Sequence, residues 1–86
     1  MKRIVAFDVS DDKIRYRLVK LLLSKGIRLQ ESVFAIQVSA NELDEMYDAI
    51  QKLVGDKAVV HIFPLCSSCE EKTLAINAAY QYCVIV

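Results

Sequence analysis

Ile4-Val5-Ala6-Phe7-Asp8 is the stretch that decides the fold, because four apolar residues read as a buried strand that ends on a carboxylate. Val9, Ser10, Asp11 and Asp12 follow at once, and behind them runs a long helical pattern. Asp8 therefore falls at a strand-to-helix junction, where α/β-type folds place ligand-contacting residues.

Outward from this strand, Ser10 has the chemistry of an N-cap, and Asp11 and Asp12 suit the positive end of a helix dipole. Ile14, Leu18, Leu21 and Leu22 then recur at helical spacing, which predicts a first helix running to Lys25 with Gly26 as its C-cap. Lys13, Arg17 and Lys20 fall on one stripe away from that core face, and Tyr16, Val19 and Leu23 form a second apolar face. Ile27 to Val38 alternates as a strand does, with a break at Glu31 and Ser32. Ser39 to Glu42 is a capping box that opens a second helix, with Leu43, Met46, Tyr47, Ile50 and Leu53 as its core stripe, an acidic outer face and an end by Gly55. Ala58 to Phe63 is an apolar strand stopped by Pro64, followed by a loop with Cys66 and Cys69, a helical turn near Glu70 to Ala75, and a last strand from Tyr80 to Val86.

The order β, α, β, β, α, β predicts an α+β chain of ferredoxin-like architecture, an antiparallel sheet with two helices on one face. The expectation is one domain over residues 1–86, with a core at 1–78 and a C-terminal strand at 79–86. That strand ends on Tyr82, Cys83, Val84, Ile85 and Val86 without a charge to blunt it. An unpaired apolar edge of this kind aggregates unless covered, so it pairs either with its own sheet or with a second copy's. In the second case Tyr82, Val84, Ile85 and Val86 form a dimer interface.

Composition bounds the classes of function. With 55 % hydrophobic residues, two glycines and one proline in 86 residues, the chain is neither disordered nor collagen-like. No apolar run approaches the roughly 18 residues of a membrane span, and Met1-Lys2-Arg3 leads into a strand without a signal-peptide pattern. A soluble, cytoplasmic protein with reduced thiols is expected. The net charge of zero hides an asymmetry: residues 1–28 hold eight basic side chains against three acidic ones, and the remainder holds three against eight. Either an anionic partner such as nucleic acid meets the basic part, or the two halves are merely solvated faces.

No phosphate-cradling glycine loop exists, and no nucleophilic triad assembles around the single His61. Catalysis, if present, would use a metal. One Asp8 is a poor magnesium site, but a two-fold axis near the strand end would bring it together with its symmetry mate. The competing reading makes Asp8 a helix cap or a partner of Arg15 or Arg17. Cys66-Ser67-Ser68-Cys69 has the spacing of half a zinc knuckle, which His61 and Cys83 would formally complete; reduced structural thiols are the simpler reading. His61 reads as a packed or interface histidine.

Phe7-Asp8-Val9-Ser10-Asp11-Asp12, Arg15, Arg17, the run from Lys25 to Phe34, Ser39 to Leu43, and Phe63-Pro64-Leu65-Cys66 together resemble the CRISPR-associated protein 2 family. The resemblance spans essentially the whole chain. It implies a ferredoxin-like homodimer whose C-terminal strand extends the partner's sheet and which acts with an integrase subunit to capture foreign DNA as new spacers, in antiviral defence. It also implies a magnesium-dependent endonuclease acting on RNA or DNA, with Asp8 of both subunits as catalytic residue and Mg²⁺ ligand. Lys13, Arg15, Arg17, Lys20 and Arg28 would hold the nucleic-acid backbone without reading its sequence. A purely architectural, non-catalytic DNA-bridging subunit is the alternative. Ala35, Leu29 and Phe7 stand where the family often has Glu, Val and Tyr, and the missing Glu removes an acid that would support the nuclease role.

Overall fold

The computed structural model describes residues 2–78. Its elements run β1 (Lys2–Val9), α1 (Asp12–Leu23), β2 (Gly26–Gln30), β3 (Val33–Gln37), α2 (Ala40–Val54), β4 (Ala58–Leu65) and a short α3 (Ser67–Glu71). The four strands form one antiparallel sheet in the order β2-β3-β1-β4. This is the ferredoxin-like α+β topology that the element order predicted. The proposed interface residues Tyr82, Val84, Ile85 and Val86 lie outside the described residues, as does Cys83.

Alternation along β1 decides the two faces of the sheet. Val5, Phe7 and Val9 are buried and pack with Leu18 and Leu22 of α1, Phe34 and Ile36 of β3, and Met46, Ile50 and Val54 of α2 in one core. Both helices therefore cover the same face. Ile4, Ala6 and Asp8 point the other way, because successive strand side chains alternate. Opposite them in the ladder stand Phe63, His61 and Val59 of β4.

Several boundaries differ from expectation for identifiable reasons. Asp11, not Ser10, caps α1: its carboxylate accepts the Ile14 N–H at 3.0 Å. The helix stops at Leu23 with Ser24 as C-cap, so Gly26 caps nothing and instead opens β2. A Cβ there would lie 1.9 Å from the Ala35 carbonyl oxygen, so β2 and β3 pack too closely at that point for any side chain. The capping box of α2 forms as predicted, with Ser39 and Glu42 exchanging hydrogen bonds of 3.0 and 3.2 Å, and Gly55 ends that helix at φ +55°. Tyr47, however, is 53 % exposed and leaves the core to Met46, Ile50 and Val54. Pro64 does not stop β4, which continues to Leu65. As β4 is an edge of the described sheet, a residue lacking an N–H is tolerated there. The helical turn after it is α3, three residues earlier than the expected Glu70 start.

Candidate functional site

Asp8 is the penultimate residue of β1, paired with Val59 and exposed on the sheet face that the helices leave bare. The register with β3 ends at Ala6↔Val33, so Asp8 stands where the central strand has β4 alone beside it. Among the described residues its carboxylate makes no hydrogen bond or ion pair. The capping reading is thereby corrected, since Asp11 caps α1. The salt-bridge reading is corrected too, since Arg15 pairs with Asp12 at 2.6 Å.

The bare face around Asp8 is largely apolar: Ile4 and Ala6 of β1, and Val59 and Phe63 of β4, of which Val59 is 57 % and Phe63 51 % exposed. His61 lies on this face, opposite Ala6 and two residues along β4 from Val59, which makes it the diagonal neighbour of Asp8 at the ~7–8 Å spacing of such pairs. Its ring stacks on Phe63 at 5.8 Å between centroids. It is exposed and not packed away, and the period-two alternation of Val59, His61 and Phe63 was the sequence signal for its facing Asp8.

The basic residues divide into two groups. Lys13, Arg17 and Lys20 are exposed on the outer surface of α1, without a hydrogen bond or ion pair among the described residues. Tyr16 and Leu23, 68 % and 51 % exposed, lie beside them. Arg15 and Arg28 are engaged locally. Arg15 donates twice to Asp12, at 2.6 and 2.9 Å, and once to the Ser10 carbonyl at 3.4 Å. Arg28 donates to the Glu31 carbonyl at 2.8 and 3.2 Å and lies 5.5 Å from the centre of the Phe34 ring. The sheet separates the stripe on α1 from Asp8, so one chain does not bring the carboxylate and the free cations onto one surface.

No group of three or more His, Cys, Asp or Glu side chains placed to hold a metal occurs among the described residues. This removes any zinc site built from His61, Cys66 and Cys69 alone. Cys66 and Cys69 are free, exposed thiols. A groove of about 760 Å³ runs between α2 and β4, lined in part by Leu43, Tyr47, Ile50, Val54, Val60 and Ile62. No helix among the described residues is long and apolar enough to cross a membrane.

The fold and the site define a small ferredoxin-like α+β domain with, near the end of its central strand, a carboxylate that is unengaged among the described residues. The family model for CRISPR associated protein Cas2 matches residues 1–73. A CRISPR-associated endoribonuclease Cas2 of Archaeoglobus fulgidus is 34 % identical over 79 residues, covering 90 % of this chain and 84 % of that protein. The structure of Streptococcus pyogenes Cas2 superposes with a TM-score of 0.80 at 19 % identity, covering 90 % of this chain and all of the other, a likeness of fold. A chain of a partial Cas6-RT-Cas1–Cas2 complex matches with a TM-score of 0.78 at 25 % identity, covering 90 % of this chain and 86 % of that one. The chain belongs to the CRISPR-associated Cas2 family.

Proposed function

We propose that this protein serves CRISPR adaptation as a homodimer that binds nucleic acid together with an integrase subunit, and that Asp8 of both copies forms a magnesium-dependent phosphodiesterase centre. Family membership carries the adaptation role, and the name of the matching complex supports a Cas1-type integrase as partner. The endoribonuclease name of the Archaeoglobus relative supports hydrolysis. The single structural observation behind the centre is the Asp8 carboxylate, solvent-facing and, among the described residues, unengaged at the margin of an exposed apolar face.

The donor set bears on the metal. One chain supplies one carboxylate, whereas Mg²⁺ takes near-octahedral oxygen ligation with several waters retained. Two copies joined through the bare faces would bring two Asp8 side chains to one axis, where mutual repulsion favours a cation between them. A cation held by the two carboxylates would supply charge stabilisation at the phosphate and an activated water. Asp8 holds the ligand position and orients it through the rigid β1–β4 ladder. Lys13, Arg17 and Lys20 neutralise backbone phosphates on a different surface, so they position the nucleic acid and take no part in bond cleavage. The acidic outer face of α2 is the surface offered to the integrase.

Cleavage of RNA and DNA by the purified wild type and by Asp8→Asn, with and without Mg²⁺, tests this reading. Cation-dependent cleavage that falls by roughly 100-fold or more in Asp8→Asn supports the centre. Equal cleavage by both proteins overturns it. The architectural alternative, a non-catalytic subunit bridging DNA, is favoured by the separation of Asp8 from the basic stripe. It requires spacer acquisition to survive Asp8→Asn and to fail when the stripe is reversed in charge.

A further inference from the structure

Cys66 and Cys69 are not used by either reading, yet their placement is specific. Cys66 precedes the first residue of α3, and the backbone N–H of Cys69 donates to its sulfur at 3.4 Å. In helical geometry Cα atoms three residues apart lie about 5 Å from each other, within the Cα–Cα range of disulfides. Only Ser67 and Ser68 lie between the two thiols, and both thiols are exposed. They differ in access: Cys66 lines a cavity of about 420 Å³ together with Lys2, Gln37, Leu65, Ser67 and Glu70, and Cys69 does not. They also differ in acidity. The Cys69 N–H, and then the Cys69 thiol, hold Cys66 below its ordinary value of 9.0, while the Cys66 sulfur pushes Cys69 above it.

We propose that Cys66 and Cys69 form a thiol–disulfide exchange site that takes small-molecule disulfides of the glutathione class, with Cys66 as the attacking sulfur and Cys69 as the resolving one. The Cys66 thiolate attacks one sulfur of the disulfide, forming a protein–glutathione bond and expelling one glutathione thiolate, which takes up a proton. The Cys69 thiol then loses its proton and attacks the Cys66 sulfur, forming the intramolecular disulfide and expelling the second glutathione. Two protein thiols are oxidised and one disulfide is reduced to two thiols, so no other oxidant is needed. The product closes the turn at the start of α3, which the Lys2–Glu70 ion pair ties to β1.

The experiment treats the full-length protein, Cys66→Ser and Cys69→Ser with oxidised glutathione, alkylates the remaining thiols and maps tryptic peptides by mass. Cleavage after Lys57 and Lys72 puts Cys66 and Cys69 in the peptide 58–72 and Cys83 in 73–86, so the bridge is identified directly. The expected wild-type product is a 58–72 peptide two hydrogens lighter and closed to alkylation. Cys69→Ser stops with one glutathione on Cys66, forming about three to ten times faster than the adduct on Cys69 in Cys66→Ser. A wild-type 58–72 peptide that stays open to alkylation, or that bonds to 73–86 instead, overturns the site. Equal adduct rates in the two variants overturn the assignment of roles.

Discussion

Asp8 and Asp11 stand three residues apart at one strand–helix junction and do different work there. Asp11 turns inward on the backbone and accepts the Ile14 N–H at 3.0 Å, which lowers its pKa below 3.8 with that hydrogen bond as the first cause. Asp8 keeps its place in the β1–β4 ladder opposite Val59, with no such bond among the described residues. The junction thus uses the Asp11 carboxylate as a cap and leaves that of Asp8 facing solvent. Asp8→Asn should not lower the melting temperature, whereas Asp11→Ala should lower it by roughly 4–8 °C through loss of the cap. Thermal unfolding followed by circular dichroism decides it; a large loss for Asp8→Asn would mean that the residue is structural after all.

Gly26 and Ala35 make the closest backbone approach that the sequence spends a glycine on. A methyl group at 26 would meet the Ala35 oxygen at 1.9 Å, the Ala35 carbonyl carbon at 2.8 Å and the Ile36 Cα at 2.7 Å, none of which belongs to a side chain that can swing away. Gly26→Ala should therefore cost at least ~2 kcal/mol by separating β2 from β3. Urea unfolding gives the number, and a cost under ~0.5 kcal/mol would show that the hairpin shifts freely.

These two positions show what could be read from the chain and what could not. Element order was legible because apolar period fixed the type of each segment, and the Ser39–Glu42 box marked the start of α2 through purely local bonds. Gly26 was misread as a helix cap because its reason is a contact with a residue nine positions on, and no local pattern carries that. Ser10 and Asp11 are both good caps by chemistry, so only geometry chose between them. Tyr47 fitted the apolar stripe of α2, but it falls on the side where the groove beside β4 stays open. For the site, the position of Asp8 was legible from its place at the strand end. Its facing away from the helices, with His61 as diagonal neighbour and the basic stripe behind the sheet, came from pairing between strands. Among the cations, residue type could not separate Lys13, Arg17 and Lys20, unpaired among the described residues, from Arg15 and Arg28, which are engaged by Asp12 and the Glu31 carbonyl.

The α2 capping box predicts an acid-sensitive element. The Ser39 backbone N–H is the first cause holding Glu42 below its ordinary 4.5, and the Ser39 hydroxyl and Lys25 add to it. A carboxylate depressed in the folded state stabilises fully above its unfolded value, and that stabilisation is lost as pH falls through the folded one. The Glu42 share of stability should thus be constant above about pH 5 and decline progressively below 4.5. Glu42→Gln should flatten the acid limb of the stability curve relative to wild type. Parallel acid limbs in urea titrations from pH 6 to 3 would place the sensitivity in other groups.

The proposed nucleic-acid contact on α1 makes a sharper prediction, because engagement differs within the basic set. Each cation that neutralises a phosphate releases counterions and adds about one to the slope of log affinity against log salt. Lys13, Arg17 and Lys20 have no competing partner among the described residues. Replacing all three by Ala should weaken duplex binding and reduce the salt slope by about three. Arg15→Ala and Arg28→Ala should each change the slope by well under one, since Arg15 already spends its guanidinium on Asp12 and Arg28 on the Glu31 carbonyl. Fluorescence anisotropy on one labelled duplex across a salt series measures all three variants alike. A slope unchanged in the triple variant, or carried by Arg15 and Arg28, would move the DNA off the outer face of α1.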